Sequence, residues 1–261
     1  MSDPIQTRPV AAAAPRAGVS LIFMAMVAVF AALGVALAIG RGGTIGVFAF
    51  VFVGWIISLC LHEWGHAATA WAGGDRSVAE RGYLTLNPLH YANPLMSIAL
   101  PLLILAIGGI GFPGGAVYVN NAALRTPLWR AAVSAAGPAM NLVCLIAIGL
   151  VMRFVTLSEA FAGALAFLGL LQATALILNL LPIPGLDGFG VLQTLFPERE
   201  RDALMPIARA IGLVFLVTLY MAPQLFQPIW DVALKLCGVA GIPTFDIATG
   251  YALFQFWDTS P

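Results

Sequence analysis

Charge is scarce in this sequence. Asp, Glu, Lys and Arg make up 9% of 261 residues, against about a quarter in soluble domains. That scarcity, with 61% apolar residues, excludes a water-soluble globule and leaves an integral membrane protein. The 12 basic and 12 acidic residues cancel, and no basic run or patch offers nucleic acid a footprint. Cysteine is as thin. Cys60, Cys144 and Cys237 stand alone in apolar surroundings, so neither a disulfide framework nor a CxxC metal site can be assembled from them. There is no internal repeat, and no polar insert long enough for a second domain.

What the chain does have is long apolar runs. About 20 apolar residues span a bilayer as a helix, and strong spans fall at 18–40, 46–72, 128–152, 160–181 and 204–222. The first is longer than the core of a signal peptide, so it reads as a retained helix behind a disordered, Pro- and Ala-rich tail, 1–17. A sixth run, 93–112, is broken by Pro94, Pro101 and paired glycines and reads as a spanning or re-entrant element. The fold class expected is therefore an all-α integral membrane protein of about six transmembrane or re-entrant helices. A membrane-embedded core covers 18–222, and 223–261, carrying Asp231 and Lys235, is an interfacial or partly membrane-associated C-terminal segment. Residues 73–92 and 113–122 are loops or short strands at the membrane surface, the second containing the β-prone Val117, Tyr118 and Val119.

Against this background the stretch SLCLHEWGHAATAW, 58–71, is out of keeping, because ionisable groups inside a span are costly and mark function. His62 and His66, four apart, share one helix face and can hold one metal ion. Glu63 is placed to reach a metal-bound water without being a ligand. This is the HExxH arrangement of zinc proteases, in which the metal lowers the pKa of its water to about 7 so that a carboxylate can act as base. Two histidines leave a catalytic zinc one protein ligand short. Glu80, His90 and Asp187 are the candidates. The first and second lie in a polar loop, whereas Asp187 sits among apolar residues where Pro182, Pro184, Gly185 and Gly188 break the helix. Broken backbone at membrane depth is tolerated where it is buried in protein or lines a watery cavity.

HEWGH at 62–66, AAGPAMN at 135–141 and NLLPIPGLDG at 179–188, in that order, resemble the site-2 protease family of intramembrane zinc metalloproteases. The likeness covers about 46–192 and is to the compact bacterial-type branch without PDZ or CBS domains. It implies that one Zn2+ is bound by His62, His66 and Asp187, that Glu63 is the general base, and that Asn179 and Asn141 serve substrate binding or packing close to the site. The sequence departs from that branch at Tyr91, Ala92, Asn93 and Pro94, where His-Ile-Asp-Pro is frequent, and at Gly185 and Phe189 around the aspartate. None of these is a ligand or the base.

For His62, His66 and Asp187 to meet, the spans at 46–72 and 160–181 must end on the same side, and the span at 128–152 must start there. With the N-terminus inside, that places Arg8, Arg16, Arg76, Arg81, Arg125, Arg130, Arg199 and Arg201 on the cytoplasmic side, leaving Arg41 and Arg153 outside. Cytoplasmic ends carry the excess of Lys and Arg, so the active site is expected nearer the cytoplasmic face of a bacterial inner membrane. The expected function is hydrolysis of a peptide bond in or near a transmembrane segment of a membrane protein substrate, with the lipid bilayer as surroundings and no nucleic acid partner. The alternatives are a metal-ion transporter and an inactive protease-like membrane scaffold.

Overall fold

The computed structural model describes residues 18–91, 117–197 and 221–257, with scattered positions between 200 and 219. The N-terminal tail and the 93–112 run lie outside the described residues. Helix α1, Leu21–Ala38, begins where the Ser20 hydroxyl accepts the Phe23 N–H at 3.1 Å, satisfying one of the donors that every helix start leaves unpaired. Helix α2, Gly43–Gly73, follows after a short glycine turn. At 1.5 Å per residue α2 runs about 46 Å, well beyond the roughly 30 Å hydrocarbon layer. His62 comes 19 residues after Gly43, about 28 Å along the axis, so a helix entering the hydrocarbon at Gly43 brings His62 to the far boundary. Two one-turn helices follow, α3 (Ser77–Glu80) and α4 (Pro88–Tyr91).

Helix α5, Pro127–Phe154, starts at a Thr126 cap with proline in its first turn, where the missing N–H costs nothing. Helix α6, Glu159–Leu180, is capped by Ser158, whose hydroxyl also donates to the Leu37 carbonyl at 2.7 Å. Beyond Leu180, Pro182 and Pro184 stop the helix, and the chain turns into a short helix α7, Asp187–Leu192. Helices α8 (Gln227–Val239) and α9 (Thr244–Phe254) close the described chain.

Four helices, α1, α2, α5 and α6, are long and apolar enough to cross a membrane, and a fifth span results if the bent pair Ala210–Leu219 and Gln224–Val239 is one element. The expectation of an all-α membrane protein holds; the count among the described residues is four or five, and the sixth expected run, 93–112, lies outside them. The same helices divide by burial. α6 is the centre of the bundle, with 72% of its apolar window buried, and α1, at 17%, is the lipid-facing periphery. In a bilayer, helices associate through close packing rather than water exclusion, which favours small residues at crossings. Gly54 of α2 is such a point, since a methyl there would meet the Phe30 ring at 2.6 Å and Leu168 at 2.7 Å.

Two features sharpen the expectation. Among the described residues there is no strand: Val117–Asn120 is irregular, docked by its own N–H groups onto side chains of the α2 end rather than into a ladder. The C-terminal segment, expected to be interfacial or partly membrane-associated, packs α9 against α6 and α2. Gly163 and Gly250 let the two backbones touch, because a methyl on Gly250 would fall on the Gly163 carbonyl. Ile247 and Phe254 are buried, and α9 is apolar throughout that face, which the weak polarity of 225–241 did not foretell.

Candidate metal centre

Three elements deliver one cluster. α2 presents His62 and His66 one turn apart, and the break after α6 returns the chain so that Asp187, first residue of α7, meets them. The return is tight, since a side chain on Gly188 would collide with the carbonyls of Leu180 and Leu181, and Gly185 takes a φ of +97°, a conformation glycine adopts without penalty. Asp187 Oδ2 lies 3.2 Å from His62 Nε2 and Oδ1 lies 3.4 Å from His66 Nε2, and the two Nε2 atoms are 3.1 Å apart. Of Glu80, His90 and Asp187, only the last reaches the histidines. Glu80 is exposed, and exposed His90 turns Nδ1 to the Gly82 carbonyl at 3.0 Å.

These distances test whether the residues suit zinc. Ligand bonds of about 2.0–2.1 Å in a tetrahedron put neighbouring donor atoms about 3.3 Å apart; the two Nε2 atoms are 3.1 Å apart, and each has one Asp187 carboxylate oxygen, Oδ2 or Oδ1, at 3.2 or 3.4 Å. Each imidazole also has its other nitrogen occupied. His62 Nδ1 is 2.6 Å from Asn141 Oδ1 and His66 Nδ1 is 2.7 Å from the Val133 carbonyl. Both are acceptors, so each Nδ1 carries the proton and each Nε2 turns a lone pair to the common point, the tautomer a metal needs. The Asp187 carboxylate completes the set as the anionic donor. The residues fit the ion.

Space for the ion comes from α5. A methyl on Gly137 would lie against Nε2 of both His62 and His66, the side on which their lone pairs converge. Gly65 in turn lets α5 approach α2, because a methyl there would stand 2.8 Å from the Ala136 carbonyl. The glycine of the GPAMN stretch is therefore a clearance, and its asparagine a holder of His62.

Glu63 is buried beside this group, 3% exposed, and its Oε2 accepts the Val117 N–H at 3.0 Å. The same Val117–Asn120 segment is fastened at its other end by Asp75, 1% exposed, whose Oδ2 accepts the Asn120 N–H at 2.7 Å. Its Oδ1 accepts the Ser77 hydroxyl and N–H at 2.7 and 3.0 Å. Asn179 is buried, and among the described residues its Nδ2 has no hydrogen-bond partner.

Asp75, Gln172 and Ser58 are polar residues that sequence reasoning passed over. Asp75 looks like an ordinary turn acid in GGDRS. Gln172 carried a usable signal, being the largest polar side chain in the interior of an apolar 22-residue helix, where polar groups are expensive.

No family model matches the chain, and no solved structure does. Curated relatives do. The chain is 47% identical over 247 residues to a Mycolicibacterium smegmatis protein named "Putative zinc metalloprotease Rip2", covering 91% of this chain and 94% of the relative. It is 47% identical over 215 residues to the Mycobacterium tuberculosis protein of the same name, covering 81% and 82%. It is 30% identical over 188 residues to a Bacillus subtilis protein named "Putative zinc metalloprotease YwhC", covering 68% and 82%.

Proposed function

Since the chain belongs to the site-2 protease family, its relatives being named zinc metalloproteases, we propose that it hydrolyses a peptide bond in or near a transmembrane segment of another membrane protein. His62, His66 and Asp187 hold the zinc. The observation that carries this reading is the convergence of both imidazole Nε2 atoms and the Asp187 carboxylate, with contacts of 3.1–3.4 Å and both imidazole Nδ1 atoms tied to acceptors.

Zinc held there supplies a Lewis acid that polarises a carbonyl oxygen and makes water acidic near neutral pH. Glu63 is the general base: its buried carboxylate takes a proton from the attacking water and delivers it to the leaving amine. Asn179 offers its unpartnered Nδ2 to the substrate carbonyl or the oxyanion, a donor already desolvated and waiting. Asn141, whose Oδ1 and Nδ2 are both engaged, orients His62 rather than the substrate. A helical substrate must unwind to expose its carbonyl, and the Val117–Asn120 segment beside Glu63 is the surface against which the extended peptide lies. Water reaches the site through the polar 73–92 loop.

The protein is a multi-pass membrane protein. Its setting is the inner membrane of a bacterium, N-terminus cytoplasmic, with the site near the cytoplasmic face as the arginine distribution indicates. The proteolytic core is 18–222. No observation among the described residues favours metal transport or an inactive scaffold. The test is zinc analysis of the purified protein together with cleavage of a transmembrane reporter, wild type against Glu63→Gln. Retained zinc with cleavage abolished is expected, and undiminished cleavage in the variant refutes the role given to Glu63.

A further inference from the structure

Behind His62 a line of hydrogen bonds runs through three helices. Asn141 of α5 sends its Nδ2 to Gln172 Oε1 of α6 at 2.9 Å, Gln172 sends its Nε2 to Ser58 Oγ of α2 at 2.9 Å, and Ser58 sends its hydroxyl to the Trp55 carbonyl at 2.7 Å. His62, Asn141, Gln172 and Ser58 are all at least nine-tenths buried, Gln172 at 1% exposure. We propose that Gln172 and Ser58 are positioning residues for zinc binding, fixing from a distance which nitrogen of His62 carries the proton.

The polarity of the line decides this. A backbone carbonyl can only accept, so with the Ser58 hydroxyl donating to Trp55, Oγ has only lone pairs left for Gln172. Gln172 must then present its Nε2 to Ser58 and its Oε1 to Asn141. Asn141 in turn presents Nδ2 to Gln172 and Oδ1 to His62, so His62 protonates at Nδ1 and keeps Nε2 free. The reversed line, Ser58 donating to Gln172 and each amide turned over, would bring an N–H to His62 Nδ1. That leaves the proton on Nε2, where it blocks the metal. The reversed line also contains one hydrogen bond fewer, because the Trp55 carbonyl loses the serine. Packing alone does not make the choice, since an amide turned over has the same shape, and a small cavity bounded by Trp55, Leu59, Ala175 and these polar residues adjoins the line. The inference rests on His62 being a zinc ligand.

The experiment measures zinc affinity of the purified full-length protein by competition with a chelator, and the visible spectrum after Co2+ substitution, for wild type, Ser58→Ala, Gln172→Leu and Gln172→Glu. Outer partners of metal-binding histidines typically contribute roughly 10- to 100-fold in metal affinity. Losses in that range are expected for Gln172→Leu and Ser58→Ala, with an altered Co2+ spectrum. Gln172→Glu, which can still only accept from Asn141 when ionised, should stay within about threefold of wild type. Affinity and spectrum unchanged in both Ser58→Ala and Gln172→Leu overturn the proposal, however far the melting temperature falls, because a purely structural tie would move stability alone. A Gln172→Glu protein as weak as Gln172→Leu also overturns it. If Gln172→Leu fails to fold, Ser58→Ala, which removes one oxygen, decides by itself. A wild-type protein that binds no zinc refutes the ligand assignment instead, a result distinct from all of these.

Discussion

Gly137→Ala should weaken zinc binding severely without altering any ligand. The added methyl carbon would stand 2.5 Å from His62 Nε2 and 2.6 Å from His66 Cε1, whereas ordinary carbon contacts begin near 3.5 Å. Relief by about 1 Å must come from α5 moving off α2 or from the two rings turning away. Neither is free. α5 carries Val133 and Asn141, which hold the two Nδ1 atoms, and α2 meets α5 at Gly65 against the Ala136 carbonyl. Zinc sites tolerate ligand displacements of about 0.2 Å, so a shift several times larger should weaken zinc by at least about 100-fold, or about 2.8 kcal/mol at 1.4 kcal/mol per decade. Chelator competition on the purified protein gives the number, and reporter cleavage should fall with it. Gly238→Ala on α8 is the control, because a methyl there meets nothing within 4 Å. Zinc affinity of Gly137→Ala within threefold of wild type would show that the ion does not lie on the α5 side of the histidines and would refute the geometry.

Other outcomes follow from the same contacts. Asp75→Asn leaves a neutral amide facing three donors; hydrogen bonds to charged groups are worth about 1.5–3 kcal/mol, so thermal unfolding should shift down and reporter cleavage fall while zinc stays bound. His90→Ala and Glu80→Gln, both exposed and away from the cluster, should leave zinc affinity within about twofold by the same competition assay. Gly250→Val drives a side chain into the Gly163 backbone of α6. Overpacking of this kind costs typically about 1–3 kcal/mol, and a lowered melting temperature would confirm that α9 belongs to the bundle.

The site was legible in sequence to the extent that its residues are chemically out of place. Two histidines and a glutamate in a greasy helix, and an aspartate set between helix-breaking prolines, announce themselves because lipid makes such groups costly. Position in space was less legible. That Asp187 rather than Glu80 or His90 meets the histidines depends on a tight return between Leu180 and Gly188 that only the folded backbone displays. Among the described residues the β-prone Val117, Tyr118 and Val119 are irregular, and Glu63 and Asp75 accept the N–H groups of Val117 and Asn120. Asp75 stayed hidden for a related reason: a buried acid fully supplied with donors has the same one-letter neighbourhood as a solvated turn acid. The packing of the last helices was not legible because Asp231 and Lys235 dominate the composition around them, while α9 packs on glycines, whose contribution is an absence of side chain.

The polar residues of the interior have two physical tasks that the membrane makes one. Helices in lipid gain little from hiding apolar surface from one another, so hydrogen bonds and close contacts must join them. The line from Trp55 through Ser58, Gln172 and Asn141 joins α2, α5 and α6, and it ends on His62. Between the two amides alone the direction is free, because an amide pair holds two helices together equally well when both amides are turned over. Only a terminus that must be an acceptor at one end and a metal-binding imidazole at the other makes the direction matter. Assembly and chemistry can therefore be separated by substitutions that keep the number of hydrogen bonds and reverse their sense. Zinc affinity should follow the sense and melting temperature the number.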